Sequence, residues 1–599
     1  METLENPPVG LTPPQRLLVF LTAMAVALTR LLAVAESLWD WDEVQFAMAV
    51  EEYDVAAHRP HPPGFPVFVA VAKILRLAAT SDFRAVQIVT VVAAMALFPL
   101  LFFLFHELRF AFAAAWSGAL LTMFVPNVWI YGGTAFSDVP SMALTVAACA
   151  FLLHGIHRPS SLLLGALLLG LAAGIRPQAL LIGAAPSLLA VWKHRRRWRL
   201  IVQAMALGAV TLAAAYTGAV VASSSYEGYF ETARKLREYL RAVDSFLSPE
   251  RPPLPVLAEF FFIRAIPGGN YARALLYAAA AGALITAIRR DGRVGLLLLM
   301  FLPFQFFAWL MLDYHSVTRY GLTFIPMYAL LAAAGVTGLL AWVPGFGRLA
   351  GAVVVVVFAV VYARWSVPAL TEVRQNPSPP VRAVNWVNEA IPASALVYVH
   401  GSMAPYAGYF MGGRQLAAVG APDAMGSGPP PEDAVVLTEL PSPLASARRF
   451  VRPRSVLFEI VRQRYFETTV VPARAWADFG EGWHPVEWHG ADVWLWMGRS
   501  ARTLLPAAAG PMTLSLRLEP ALEHGPPVID VVLNGTLLER FALTGPMNKQ
   551  WTVAARPDGW NELVLTSDRA VNPLQEGLAP DSRDLSLRLL SYDWMPVAR

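Results

Sequence analysis

The sequence predicts a polytopic α-helical membrane protein of about eleven spans, followed by an α/β and β-sandwich region. Hydrophobic residues make up 56% of the 599 and charged residues only 15%, against roughly 25% charged in ordinary soluble domains. Long apolar runs recur from Leu17 to Trp365, and beyond Trp365 they shorten and alternate with polar residues. We expect three parts: 1–365, 366–505 and 506–599.

Charge and cysteine content narrow the class of protein. The net charge is only +4, and the basic residues are concentrated in short loops between apolar runs. This pattern is typical of signals for membrane orientation rather than nucleic-acid binding. The single cysteine, Cys149, excludes an internal disulfide and a cysteine metal site.

Eleven apolar stretches are candidate spans. The first follows Arg16 and ends at Ala33-Val34-Ala35, which also resembles a cleavable signal peptide. We expect an uncleaved span because the stretch is long enough to cross a bilayer. The candidate spans centre on 17–35, 85–105, 111–129, 138–156, 161–175, 177–192, 200–222, 273–288, 294–312, 320–343 and 349–365.

Whether the run 64–79 crosses the bilayer decides which side of the membrane every later loop faces. It contains Lys73 and Arg76, and if it crossed the bilayer the basic cluster 193–199 would face outward. We therefore expect 64–79 to form a re-entrant or interfacial helix. The N-terminus is then inside, and the basic loops 193–199 and 289–293 face the cytoplasm. The C-terminal region is extracytoplasmic.

Acidic residues follow the first span directly. The segment from Asp42 to Asp54 has the pattern of an amphipathic surface helix, with Phe46, Ala49 and Val50 on one stripe. Asp42 and Glu43 lie at or beyond the polar edge of that helix. Asp42 is either a helix cap or a functional carboxylate near a bilayer, where acids are costly.

The next residues form a proline-rich loop, HRPHPPG, which excludes regular structure. It contains His58 and His61, which line the pocket predicted for this first loop. Two histidines near carboxylates leave a divalent metal open, although they lack a regular ligand spacing.

Three polar breaks are expected on the same face. Asp138 opens a span, as part of a helix cap with Pro140, as a second functional acid, or as both. Arg176 interrupts two short apolar halves and is predicted to bind a lipid phosphate or to pair with Asp138. Arg319 and Tyr320 enter a later span and are either phosphate ligands or interfacial anchors.

These segments together resemble the GT-C superfamily of membrane glycosyltransferases, and in particular the protein O-mannosyltransferase-like group (family 39-like). Asp42-Glu43 resembles the family's first-loop acidic motif, HPPGFP from His61 to Pro66 resembles its HPPGYP signature, and Asp138 matches its second acid. Arg319-Tyr320 followed by Pro326 resembles a late-span pattern. Aminoarabinose-transferase relatives place a lysine where this chain has His61, which argues against that substrate.

The resemblance implies an inverting transfer of mannose or another hexose from a polyprenyl-phosphate donor to a hydroxyl on the outer membrane face. Asp42 would be the general base, with Glu43 and Asp138 beside it. Arg176, Arg319 and Tyr320 would bind the donor phosphate. The acceptor is left open among protein, lipid and polysaccharide, no cofactor is required, and a divalent metal stays open. The expected location is a bacterial inner membrane with a periplasmic C-terminal region.

The C-terminal part reads as two kinds of structure. Residues 395–399 and 434–437 resemble buried strands with a helix near 381–390, and the Pro/Gly-rich segment 419–431 resembles a loop. Later strands, with a hairpin signal at Asn534-Gly535, resemble a jelly-roll carbohydrate-binding module, and a generic β-sandwich without a ligand is the alternative. Three tryptophans there are sugar-stacking candidates or core residues: Trp551, Trp560 and Trp594.

Two other classes of function remain open from the sequence. One is a polytopic transporter or flippase of lipid-linked sugars, although no internal repeat is evident. The other is a non-catalytic membrane anchor that displays a sugar-binding module.

Overall fold

A computed structural model describes residues 9–248, 251–288, 292–345, 347–419, 428–444, 446–452, 456–461, 467–489, 492–521, 525–578 and 581–597. Two segments singled out in the sequence are only partly covered, because 289–291 of the basic loop and 420–427 of the Pro/Gly-rich loop lie outside the described residues. Two compact units divide the chain. We call residues 1–377 with 455–462 the helical unit, and residues 378–454 with 463–599 the C-terminal unit.

The helical unit is built from helices, most of them apolar. They are α1 (Pro13–Arg30), α2 (Trp41–Glu51), α3 (Pro66–Arg76), α4 (Asp82–Glu107), α5 (Phe112–Phe124), α6 (Pro126–Tyr131), α7 (Asp138–His154), α8 (Pro159–Ile175), α9 (Ala179–Lys193), α10 (Trp198–Ala222), α11 (Tyr226–Tyr239), α12 (Leu254–Glu259), α13 (Asn270–Ile288), α14 (Gly292–Met311), α15 (Val317–Leu340) and α16 (Arg348–Gln375).

Among the described residues, six helical segments are long and apolar enough to cross a membrane: Pro13–Ala33, Asp82–Glu107, Trp198–Ala222, Gly292–Met311, Tyr314–Leu340 and Arg348–Ala390. Shorter apolar helices accompany them, namely α5, α7, α8 and α9. The predicted polytopic helical fold is thus confirmed. The sidedness of the spans stays a prediction.

The segment 64–79 forms a short helix. α3 has 11 residues, or about 17 Å at the α-helical rise, whereas a straight span needs about 20 residues. Lys73 Nζ donates to the Val50 carbonyl at 2.9 Å, and Arg76 Nε donates to Asp82 Oδ1 at 2.7 Å. These bonds tie α3 to its neighbours along the chain, and its length agrees with the interfacial interpretation.

Aromatic packing positions α2. The Phe46 ring meets Phe65 and Phe68 edge-on, with centroids 4.9 and 5.1 Å apart. Phe46, Ala49 and Val50 are all buried, as the predicted stripe requires. Glu43 is also fully buried, so its placement at the polar edge of the helix was wrong. The reason is its backbone partners, described below.

The described residues of the C-terminal unit form α17 (Pro379–Ala390), α18 (Ala404–Phe410) and three five-stranded sheets. The first sheet has the order β2-β1-β3-β5-β4, and β1 is parallel to both neighbours. Its strands are β1 (Val397–His400), β2 (Leu416–Val419), β3 (Val435–Thr438), β4 (Arg448–Val451) and β5 (Glu467–Pro472). This is the mixed α/β part that the sequence predicts.

The other two sheets have the orders β13-β10-β15-β8-β7 and β12-β11-β14-β9-β6. Their strands are β6 (Asp478–Phe479), β7 (Glu487–His489), β8 (Asp492–Met497), β9 (Ser500–Leu505), β10 (Pro511–Pro520), β11 (Val528–Leu533), β12 (Thr536–Ala542), β13 (Met547–Ala554), β14 (Asn561–Ser567) and β15 (Leu587–Pro596). Strands β8 and β9 lie before residue 506, the predicted start of the β-sandwich part, yet they pair with β15 and β14.

The inner faces of these sheets share an apolar core. Leu514, Val531 and Leu565 lie at inward-facing positions of three different strands. Trp594 belongs to the same core and is 1% exposed. Trp551 and Trp560 pack against the same core. Burial of Trp594 excludes it as a sugar-stacking residue. The predicted hairpin joins β11 and β12, with φ of 52° at Asn534 and 82° at Gly535, as a turn with two left-handed residues requires.

Candidate active site

The first turn of α2 carries three carboxylates with three different sets of partners. Asp40 is the N-cap, and its Oδ1 accepts a hydrogen bond from the Asp42 N–H at 2.9 Å. Glu43 completes a capping box with Asp40, which satisfies otherwise unpaired N–H groups of the helix start. Asp42 is therefore not the helix cap, and its side chain is left to contact other elements.

An ionic network joins Asp42 to two distant helices. Arg319 Nη1 donates to Asp42 Oδ2 at 2.6 Å, and Arg319 Nε donates to Asp138 Oδ2 at 2.8 Å. Arg176 Nη2 donates to the same Asp138 oxygen at 2.8 Å, and its Nε donates to Ser137 Oγ at 2.9 Å. The structure thus brings together four of the residues that the sequence singles out.

These charges are sheltered from water. The side chains of Asp138, Arg319 and Asp42 are 8%, 11% and 14% exposed. Arg319 lies over the Phe136 ring at 4.2 Å from its centroid, a cation–π geometry. In such surroundings an unpaired charge is costly, which explains why each acid faces an arginine.

Arg176 takes the pairing that the sequence left as an alternative. It pairs with Asp138, and its guanidinium also lies 5.3 Å from the Phe65 ring centroid. Asp138 is the first residue of α7, and Ser137 makes no side-chain cap for that helix. The carboxylate of Asp138 is instead shared between the two arginines at the start of α7.

The network controls the ionisation of Asp42. Burial by itself would raise the pKa of this carboxyl, but His61, Arg319 and Arg176 together lower it below its usual range. The pKa of His61 is itself lowered, chiefly by burial, so that imidazole is neutral near pH 7. At neutral pH the two arginines are therefore the cations that keep Asp42 ionised.

The hydrogen bonds of His61 identify its tautomer. Gln45 Oε1 lies 3.2 Å from the backbone N–H of His61 and 2.9 Å from its Nδ1. The backbone N–H of His61 can only donate, so the Gln45 atom that faces it is the amide oxygen. Because that oxygen can only accept, Nδ1 must carry the imidazole proton. Nε2 is then an acceptor. It has no hydrogen-bond partner among the described residues, and the side chain is 22% exposed beside Asp42.

Glu43 faces the backbone rather than the network. Its Oε2 accepts from the N–H groups of Trp39 and Asp40 at 2.5 and 3.1 Å, and its Oε1 accepts from Ala135 at 2.6 Å. Burial raises the pKa of Glu43 to about 8, and these N–H donors oppose the rise. Glu43 thereby fastens the start of α2 to the turn before α7, which sets the separation of Asp42 and Asp138.

Hydrogen bonds to its carbonyls hold the proline-rich loop in place. Tyr229 donates its hydroxyl to the Pro63 carbonyl at 3.1 Å, and Tyr53 donates to the Gly64 carbonyl at 2.9 Å. Gly64 has φ of 95°, and a Cβ there would collide with the Tyr53 hydroxyl. Only glycine fits this position, so the loop that carries His61 has a defined path.

The other predicted site residues are more peripheral. His58 is exposed and makes no hydrogen bond to Asp42. Tyr320 is half-buried and close enough to Arg176 to interact with it electrostatically. Across the described ranges, no group of three or more His, Cys, Asp or Glu is placed to hold a metal ion. Arg319 itself provides the positive charge between Asp42 and Asp138.

Several neighbours of the site carry no sequence motif. Gln45, Ser137 and Phe136 are ordinary residues in the sequence, and their roles depend on contacts with other elements. Residues 456–461 belong with the helical unit, where the Ile460 carbonyl accepts a hydrogen bond from Thr318 Oγ1 at 2.5 Å. These residues lie far from α15 along the chain, so the sequence did not indicate this contact.

A search of family models gives no match, and a search of curated proteins gives none either. Among solved structures, the chain is similar to ArnT from Cupriavidus metallidurans bound to undecaprenyl phosphate, with 13% identity and a TM-score of 0.46, over 77% of this chain and 98% of that one. The apo ArnT structure from the same organism is 12% identical, with a TM-score of 0.44, over 76% of this chain and 97% of that one.

Arabinofuranosyltransferase AftD from Mycobacteria is also similar, with 12% identity and a TM-score of 0.43. The match covers 98% of this chain and 59% of AftD. We draw the function from the geometry of the site itself.

Proposed function

We propose that the chain is a GT-C-type glycosyltransferase that moves a sugar from a polyprenyl-phosphate donor to an acceptor hydroxyl. The observation that carries the proposal is the arrangement of Asp42, Arg319, Asp138 and Arg176, in which two acids and two guanidinium groups alternate. The alternation combines a carboxylate base with cations for an anionic leaving group. Glycosyl transfer from a lipid phosphate needs both.

The two arginines suit the departing phosphate. A guanidinium presents a planar set of donors that matches phosphate oxygens, and such hydrogen bonds are strong in a sheltered site. Arg176 and Arg319 converge on one oxygen of Asp138. An entering phosphate would exchange with that carboxylate, and Asp138 would keep the two cations close together before the donor arrives.

Asp42 is the proposed general base. The acceptor oxygen bonds to the anomeric carbon as the bond from that carbon to the phosphate oxygen breaks. The hydroxyl proton passes to Asp42, and the polyprenyl phosphate leaves with the electron pair. A single displacement of this kind inverts the anomeric centre.

Donor binding would also tune the base. With Arg319 at 2.6 Å from Asp42 Oδ2, the carboxylate is ionised but weakly basic. When a phosphate draws on Arg319, the cation neutralises the phosphate rather than Asp42, and the pKa of Asp42 rises. Proton abstraction is thus favoured once the donor is bound, since a base works best when its pKa is near the working pH.

The site supports this role for Asp42, Asp138, Arg176 and Arg319, with His61 at its edge and Tyr320 near the phosphate. We assign Glu43 a positioning role because its oxygens face backbone donors. We further propose that the reaction occurs on the outer face of a bacterial inner membrane. The sugar is mannose or another hexose, and the acceptor is a protein, lipid or polysaccharide hydroxyl.

The decisive experiment compares Asp42→Asn with Glu51→Gln in the purified full chain. Radiolabelled polyprenyl-phosphate sugars are supplied with a cell-envelope acceptor fraction, and product is measured. Loss of the base should lower kcat by about 10²–10⁴-fold. Glu51 lies on the same helix and is exposed, so its variant should match the wild type.

Equal rates for Asp42→Asn and the wild type would contradict the base assignment. Failure of the wild type to transfer any sugar, with movement of the labelled donor across proteoliposomes instead, would replace the transferase by a flippase.

A further inference from the structure

A polar cleft lies on the outer face of the sheet β13-β10-β15-β8-β7 in the C-terminal unit. It encloses about 500 Å³, which falls within the range of about 300–1,000 Å³ for small-molecule sites. Residues 442–444 and Ala447 form one wall, and the Pro443 carbonyl accepts a hydrogen bond from the Tyr592 N–H at 3.2 Å. The sheet therefore has a bounded depression rather than a flat polar face.

A bulge shapes the floor of this cleft. The pairing of β10 with β15 shifts between Arg517 and Leu518, so that Arg517 lies opposite Ser591 and Leu518 lies opposite Leu589. As a result the consecutive residues Leu590 and Ser591 both line the cleft, which regular alternation forbids. Bulges of this type redirect side chains and are frequent beside binding sites.

The charges of the cleft are balanced. Arg588 pairs with Glu519 at 2.5 Å, and Arg449 pairs with Glu467 behind it. Arg517 and Asp492 are exposed in the cleft and have no ion-pair partner among the described residues. One unpaired donor group and one unpaired acceptor group thus face the same space, with no excess of either sign.

An aromatic side chain in this cleft has a fixed orientation. Trp494 lines the cleft and is half-buried. Its Nε1 donates to Glu487 Oε2 at 3.1 Å, and Arg583 pairs with the same carboxylate at 2.7 Å. The indole ring is therefore held in one orientation, and little ordering cost remains when a ligand packs against it.

We propose that this cleft binds a neutral saccharide. The hydroxyl groups of the sugar would accept hydrogen bonds from Arg517 and donate to Asp492. Ser591 would add a further hydrogen bond, and the apolar face of the sugar ring would pack on Trp494. The balanced charge favours a neutral sugar over a phosphate or a uronate, which would meet Asp492. This binding is independent of the proposed transfer reaction, because none of these residues belongs to the site around Asp42.

The test is ligand binding by the full chain in detergent. Saturation-transfer NMR and calorimetry are run with methyl α-mannoside, methyl β-galactoside, methyl β-glucoside, methyl β-glucuronide and inorganic phosphate. At least one neutral glycoside should bind, and Arg517→Ala should weaken it roughly tenfold or more, as for loss of a hydrogen bond to a charged group. Asp492→Ala should weaken it too.

Two controls separate this site from its surroundings. Gln550→Ala removes an exposed side chain of β13, in the same sheet but outside the cleft, and should leave affinity unchanged. Asp42→Asn should also bind normally, which separates the cleft from the transferase site. Absence of binding by every neutral glycoside, tighter binding of the glucuronide or phosphate, or full binding by Arg517→Ala would overturn the proposal.

Discussion

Arg319 in the helical unit and Arg517 in the C-terminal unit are both arginines at a candidate ligand site, but their surroundings are opposite. Arg319 is 11% exposed and bonded to two carboxylates. Arg517 is exposed and has no ion-pair partner in the described part of the chain. The difference follows from solvation, since burial of an unpaired charge costs several kcal/mol per ion whereas water stabilises an exposed one.

The two candidate sites therefore differ in what a ligand would have to displace. Around Arg319 the cations are already neutralised by acids of the chain, so an incoming anion must exchange with a carboxylate. Around Arg517 a ligand exchanges only with water. Substitutions in the first site should therefore change stability and activity together, whereas those in the second should change binding alone.

The largest expected effect is on stability and comes from Asp138→Ala. The change leaves Arg176 without its acid and Arg319 with only Asp42, so unfolding free energy should fall by about 3–5 kcal/mol. Thermal unfolding of the full chain in detergent would measure it. Asp492→Ala is the matched change in the cleft and should stay within about 0.5 kcal/mol of the wild type. Equal melting of Asp138→Ala and wild type would contradict the account of a buried network.

A smaller effect should separate the two nitrogens of His61. Asn at this position retains a donor near the Nδ1 position, whereas Gln places its amide near Nε2. If the free Nε2 accepts a hydrogen bond from substrate, His61→Asn should lower kcat/KM roughly tenfold and His61→Gln should lower it less. The opposite order would show that the bond to Gln45 is the important one.

The same histidine predicts a pH dependence. Because the pKa of His61 is lowered from 6.5, the imidazole is neutral at pH 7. It gains a proton only as the pH falls through this lowered pKa. Protonation converts Nε2 from acceptor to donor, so wild-type activity should decline on the acid side. In His61→Gln this decline should move to lower pH, where Asp42 titrates. A rate profile unchanged by the substitution would assign the decline to another group.

The smaller of the two effects on stability is expected in the hairpin of the C-terminal unit. Gly535 has φ of 82°, and a Cβ there would touch nothing within 4 Å. Gly535→Ala should therefore cost only the left-handed backbone penalty of about 1–2 kcal/mol. Gly510 also has open space around it but no positive φ, so Gly510→Ala should cost less. Chemical unfolding followed by tryptophan fluorescence would compare them.

The sequence by itself determined the parts of this protein that depend on local pattern. Apolar run length gave the membrane helices, and Asn534-Gly535 gave a hairpin. Lys73 and Arg76 within 64–79, together with the basic cluster 193–199, predicted an interfacial helix rather than a span. Acidic and basic residues beside apolar runs also marked Asp42, Asp138, Arg176 and Arg319, because charges at such positions are expensive and need partners.

Only the tertiary structure decided which partners they have. The sequence could not show that Asp40 rather than Asp42 caps α2, that Glu43 is turned to the Ala135 backbone, or that Arg319 bridges Asp42 and Asp138. The Glu43–Ala135 contact and the contacts of Arg319 join residues that are 92 to 277 positions apart, and no local periodicity encodes them. Packing brings such residues together, and the cost of burying an unpaired charge then fixes which acid faces which arginine.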